Sequence, residues 1–153
     1  MATYDTMAAA YARRRSAAAA VVRALAELGR LGPESHVLEV GAGTGNHSRA
    51  LRKATGCGGV AMEPSRAMLA HALNLGGGVA YVAGDAHALP FSAGTFNLVF
   101  STDVIHHLGR PGDHFREAAR VLRPGGCFVT VTQSHAQIRA RPVLGRFFPE
   151  TIA

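Results

Sequence analysis

The stretch VLEVGAGTGNHSRAL, Val37 to Leu51, decides how the rest of the chain is read. A short apolar run carrying one acid, Glu39, meets three glycines at alternate positions, Gly41, Gly43 and Gly45. A helix-forming sequence follows at once. Each glycine lacks the Cβ that bars positive φ and keeps a ligand away from the main chain. A helix opening straight from such a loop offers unpaired N–H groups and a partial positive charge. A small ligand with acidic or hydroxylated parts suits that place, and so does a plain structural turn. The dinucleotide fingerprint G-x-G-x-x-G does not fit. Counted from Gly41 its third glycine falls on Asn46, and counted from Gly43 it falls on Ser48.

Outward from the loop, strands and helices alternate. Residues 5–30, rich in Ala, Leu and Arg, read as one or two helices ended by Gly32-Pro33. HVLEV (36–40) is predicted as a buried parallel strand, TGNHSRALRKA as the helix leaving the loop, and GGVAME (58–63) as a second strand. Ser65 is placed to cap a helix through RAMLAHALNL, with Met68, Leu69, Ala72 and Leu73 on one face. VAYVAG (79–84), FNLVFS (96–101) and CFVTVT (127–132) read as strands three to five. Between the last two lies a helix over PGDHFREAARVL, with Pro111 in its first turn and Pro124-Gly125-Gly126 as a sharp stop. Five strands with helical or loop crossovers imply one α/β domain whose parallel sheet is covered on both faces.

The chain has 153 residues, 48% of them hydrophobic, enough for a single domain with a real core. No apolar run is long enough for a membrane span. Arg23 and Glu27 interrupt the alanine-rich segment after Arg13, Arg14 and Arg15, so it reads as an amphipathic helix and not as an export signal. The two cysteines, Cys57 and Cys127, lack metal-type spacing and fit a reducing cytoplasm, the expected location. The formal charge of +6 could suit nucleic acid or an anionic membrane. The arginines are scattered, however, and no aromatic-plus-basic platform accompanies them, which argues against nucleic acid. The histidines show no ligand spacing, so no metal is expected.

The pattern Glu39-x-Gly41-x-Gly43-x-Gly45 resembles the first motif of class I S-adenosylmethionine-dependent methyltransferases. VAMEPSRAML resembles their second motif, and GDAHALPFSAGTFNLVFSTDVIHHL a long segment typical of the methyltransferase type 11 group. EAARVLRPGGCFVTVT resembles the helix-turn-strand that closes that group's core, so the ordered matches span residues 37–132. The resemblance implies a Rossmann-like, doubly wound, mostly parallel α/β sheet. It implies S-adenosylmethionine as cofactor, S-adenosylhomocysteine as product, and a small-molecule methyl acceptor. Gly41, Ala42 and Gly43 would then pass beneath the methionine and ribose parts. Glu39 would orient the loop or meet the cofactor's ammonium. Glu63, followed by Pro64, would accept the ribose hydroxyls. Asp85 would take the adenine amino group and the Ala86 N–H a ring nitrogen, above Leu89, Pro90 and Phe91. Ser101 at the tip of strand four joins this set. Tyr11 matches a position where the family lays an aromatic over the cofactor, with a packed helix tyrosine as the competing reading.

Residues 1–32 are expected to form a helical cap, 33–132 the cofactor-binding core, and 133–153 a tail or the start of a truncated segment. The group usually carries Phe-Asp where Phe96-Asn97 stands, a change expected to act only on local structure. The 21 residues after Thr132 are too few for the helix and antiparallel hairpin that normally complete the family sheet. The expectation is therefore a sheet lacking that hairpin, in a fragment of a longer protein or in a homodimer that covers the open edge. A sulfonium methyl is already electrophilic, so the protein must bind, orient and desolvate. A general base is needed only for an acceptor that arrives protonated. His106 and His107 are the candidate bases, against a plain loop-fixing role. Asp103 reads as a helix cap or a turn former, Arg13 to Arg15 as a solvated face with the grip of an acidic acceptor as the competing reading, and His47 as surface. Two rival functions stay open: a cofactor-holding module without turnover, and a nicotinamide-dependent oxidoreductase.

Overall fold

The computed structural model of the chain describes residues 17–133. Tyr11, Arg13 to Arg15 and the tail beyond Gln133 lie outside the described residues. Among the described residues ten elements follow one another: α1 (Ala19–Leu28), β1 (His36–Val40), α2 (Asn46–Thr55), β2 (Gly58–Met62), α3 (Arg66–Leu73), β3 (Ala80–Val82), β4 (Phe96–Thr102), a 3-10 turn (Ile105–His107), α4 (Pro111–Val121) and β5 (Leu122–Val131). The five strands form one all-parallel sheet in the order β3-β2-β1-β4-β5. The chain steps outward from β1 to β3, then returns to lay β4 on the other side of β1. The crossover direction reverses there, and a crevice opens at the carboxyl ends of β1 and β4. In open α/β sheets that is where ligands bind.

The central strands are apolar on both faces because both are covered. Leu38, Val40, Met62, Val99, Ala118 and Val121 belong to one core. Val22, Leu25, Val37, Leu51, Leu98 and Phe100 belong to the other, which brings in α1 and α2. Asn97, where the resembling group has Asp, accepts a hydrogen bond from the His36 N–H at 2.8 Å. It ties the start of β1 to β4, the local structural part expected of it.

Three expectations change. Leu73 is 65% exposed, whereas Met68 and Ala72 are buried. Met68 and Ala72 stand four residues apart on one stripe, and Leu73 lies a further 100° round the helix. β3 is shorter than its apolar run. β5 starts before the Pro124-Gly125-Gly126 stop and runs through it. Pairing with β4 moves from Phe96–Leu122 directly to Leu98–Cys127, a bulge in which Gly125 takes φ 77°. The turn residues therefore interrupt the register without ending the strand.

Candidate functional site

Strand β1 delivers Glu39 and the glycine loop to the crevice. Gly41, Gly43 and Gly45 all take positive φ, between 57° and 71°. Two of them are also closely covered. A Cβ on Gly41 would stand 2.4 Å from Val104 Cγ2, and one on Gly45 would stand 2.7 Å from the Tyr81 ring. The loop's donors are largely committed within the protein. The Gly41 and Ala42 N–H groups donate to the Met62 carbonyl at 2.8 and 3.0 Å, and the Gly45 N–H to the Ala42 carbonyl at 2.8 Å. The Gly43 N–H donates to Glu63 Oε2 at 2.8 Å.

The helix N-terminus is served from inside as well. Glu39 is buried, and its Oε2 accepts from the Ser48 N–H at 3.0 Å and from Ser48 Oγ at 2.6 Å. Ser48 is the third residue of α2, so a strand carboxylate satisfies a first-turn donor that a capping side chain would otherwise take. Burial pushes the Glu39 carboxyl up to about 7, against the Ser48 bonds and Arg49, which lower it. His47, expected on the surface, is only 15% exposed and faces Glu39 Oε1 at 3.7 Å. Arg49 holds the far side of the loop through the Thr44 carbonyl, Asn46 and the Tyr81 hydroxyl.

Glu63 stands one residue beyond β2. Besides Gly43 it accepts from the Ser65 N–H at 3.0 Å, which joins the glycine loop to the start of α3. A carboxylate offers about four acceptor sites, so Glu63 keeps capacity for hydroxyls. Pro64 beside it is exposed. Ser65 caps α3 through the Met68 N–H, as expected. Asp85 follows β3 with its side chain 68% exposed. Its Oδ1 accepts from the His87 N–H at 2.9 Å and lies 2.7 Å from His87 Nδ1. These bonds lower its pKa. Ala86 and Phe91 pack against the core from the same loop.

Other candidates are placed differently. Ser101 is fully buried, with Oγ 3.1 Å from Thr130 Oγ1 on the neighbouring strand. His106 and His107 are exposed, with ring centroids 4.0 Å apart and ring planes tilted by 50°. Desolvation, and after it His106, lowers the His107 pKa, while Asp103 raises it. Asp103 takes φ 57°, in keeping with a turn-forming role. Among the described residues no group of three or more His, Cys, Asp or Glu could hold a metal ion, and no helix is long and apolar enough to cross a membrane. Sequence reading missed Val104, Tyr81 and Arg49 as walls of the loop. They come from three separate segments, and no local pattern announces them. Ser48 was legible in principle, as a short polar residue three positions past Gly45.

Fold and site together define a doubly wound α/β domain with a glycine loop at its topological switch point. Residues 38–130 match the methyltransferase domain family of the type 11 group. The chain belongs to that family, the class I S-adenosylmethionine-dependent methyltransferases. It is 36% identical over 101 residues to a ubiquinone/menaquinone biosynthesis C-methyltransferase of Cereibacter sphaeroides, covering 61% of this chain and 40% of that one. It is 33% identical over 133 residues to the sarcosine/dimethylglycine N-methyltransferase of Halorhodospira halochloris, covering 80% and 48%. The chain thus spans less than half the length of these two curated relatives. Among solved structures, a protein of Anabaena variabilis assigned as an antibiotic-pathway methyltransferase superposes with a TM-score of 0.72 at 30% identity, covering 87% of this chain and 52% of that one. A (4+2)-cyclase superposes at 0.68 and 25% identity, covering 76% and 47%.

Proposed function

We propose that the crevice at the carboxyl ends of β1 and β4 holds S-adenosylmethionine and supports transfer of its methyl group to a small-molecule acceptor. The observation that carries this reading is the donor accounting of the loop. Four of its N–H groups are bonded inside the protein, and the α2 first turn is capped by Glu39. A pyrophosphate would meet few of the donors it needs and two nearby carboxylates, Glu63 and Asp85. A cationic nucleoside without phosphate meets acceptors for its hydroxyls and amino groups. The same accounting disfavours a nicotinamide dinucleotide.

When bound, the cofactor supplies a methyl on a sulfonium that leaves as a neutral thioether. The chain's own residues bind and orient it. Gly41, Ala42 and Gly43 supply a surface with nothing larger than a methyl on it, Val104 closes on it at Gly41, and Tyr81 covers Gly45 at its end. Glu39 fixes the loop through Ser48 and does so from a buried position. Glu63 accepts the ribose hydroxyls, with Pro64 turning the chain behind it, and Asp85 and the Ala86 N–H receive the base. Tyr11 and Ser101 complete the proposed cofactor set. His106 or His107 serves as base where the acceptor arrives as a phenol or hydroxyl. The relatives are named as C-, O- and N-methyltransferases. Their range supports a small-molecule acceptor and leaves the accepting atom open.

Calorimetric titration tests the binding half. S-adenosylmethionine should bind and NAD should not; the reverse result defeats the proposal. Glu63→Ala should weaken S-adenosylmethionine binding by about 1–3 kcal/mol, the usual loss for a charge-assisted hydrogen bond. Unchanged affinity removes Glu63 from the site. Turnover is tested separately, since the (4+2)-cyclase shares the fold. Tight binding with no methyl transfer to any quinol, phenol or amine acceptor would favour a holding module.

A further inference from the structure

One helix holds both polar main-chain atoms of Leu89. The Leu89 N–H donates to Glu117 Oε2 at 2.8 Å, and the Leu89 carbonyl accepts from Arg120 Nη2 at 2.9 Å. Arg120 Nη1 donates to the Phe91 carbonyl at 2.8 Å. The Arg120 guanidinium also pairs with Glu117 in a fork, Nε to Oε1 and Nη2 to Oε2, each at 2.7 Å. Three residues before Glu117 on α4, His114 Nδ1 lies 3.3 Å from the Ala86 carbonyl. Three side chains at three-residue steps therefore grip Ala86, Leu89 and Phe91, the loop that opens at Asp85.

An exposed ion pair by itself contributes little, because water and salt screen it. This pair differs in what else it bonds. Both partners direct their remaining hydrogen bonds to the main chain of one loop, and the planar guanidinium fixes the direction of each. The Arg120 bonds hold the Glu117 carboxyl down at about 2, so the fork stays ionised across the working pH range. On the inner side, Leu89 is buried and Ala86 and Phe91 pack on the same core. The loop is thus clamped from the helix and from the core together.

We infer that Glu117 and Arg120 are positioning residues for base recognition: they set where Asp85 and Ala86 stand beside the glycine loop, and so how sharply adenine is told from another purine. This inference rests on the cofactor reading proposed above. The test compares S-adenosylhomocysteine with S-inosylhomocysteine, whose 6-oxo group cannot donate to Asp85. Arg120→Ala should raise the Kd of the adenine ligand about tenfold, the scale of one charged hydrogen-bond loss, and narrow the preference over the inosine ligand. Glu117→Gln, which keeps an acceptor for Leu89, should shift the preference less in the same direction. Arg120→Lys should not restore it, because an ammonium cannot span the fork. A general loss of folding lowers both affinities equally and leaves the ratio at the wild-type value. A wild-type ratio in both Arg120→Ala and Glu117→Gln overturns the inference. If the unaltered chain binds neither ligand, the cofactor reading itself fails. If it binds both equally, the base-reading role of Asp85 fails and the inference falls with it.

Discussion

Gly41→Ala should cripple the site, with a loss of about 2–5 kcal/mol shared between folding and cofactor binding. Two effects add. The residue stands at φ 69°, where an L side chain is strained by about 1–2 kcal/mol. Its Cβ would also lie 2.4 Å from Val104 Cγ2 and 3.1 Å from Cγ1, so loop or valine must move. Overpacking of this kind typically adds about 1–3 kcal/mol. The Gly41 N–H bonds the Met62 carbonyl at 2.8 Å, so the loop has little freedom to retreat. Urea unfolding and titration with S-adenosylmethionine measure the two shares. Adding Val104→Ala should relieve the clash and leave the backbone strain, a non-additive pair of the kind contacting residues give. A Gly41→Ala protein with wild-type stability and affinity would show that the cradle is not tight.

The second large effect is a dependence of stability on pH centred on Glu39. Burial raises its carboxyl from 4.5 to about 7. Between those values the folded protein holds a proton that the unfolded chain has released. Stability from this group is therefore greatest below pH 4.5, falls as pH rises through the window, and is level above about 7. The full drop is at most about 3 kcal/mol, at 1.36 kcal/mol per pH unit. Glu39→Gln keeps an acceptor for Ser48 and cannot ionise, so it lacks this slope. Relative to the unaltered chain, the variant should gain on moving from pH 5 to pH 8 by up to that amount. Urea midpoints at the two pH values measure it, and comparison of the pair cancels groups not coupled to Glu39. Parallel pH profiles for the two proteins would mean that Glu39 titrates normally, and that water reaches it.

The strand over His36–Val40 and the capped helix after Ser65 were legible because each depends on neighbours in sequence: an apolar run with a loop at its end, a hydroxyl three residues before the N–H it accepts from. The assignment to the family was legible for the same reason, since its motifs are local. Partner choice was not. Glu39 was expected either to orient the loop or to meet a ligand, and only the fold shows its carboxylate bound to Ser48 in a buried position. Glu63 was expected to face ribose, and only the fold shows its carboxylate bonded to the Gly43 N–H, twenty residues away in sequence.

From sequence alone came the order of strands and helices, the glycine spacing that disfavours a dinucleotide loop, and the acids that end up at the strand tips. Periodicity, turn chemistry and motif spacing act over a few residues, and a single sequence carries them in full. Tertiary structure alone decided that Val104 closes on Gly41, that Tyr81 covers Gly45, that β5 continues through its glycines, and that Arg120 reaches back to Leu89 and Phe91. Each is a contact between segments brought together by the right-handed crossovers of a parallel sheet. Such contacts depend on where the whole chain packs, and no local run of residues encodes them.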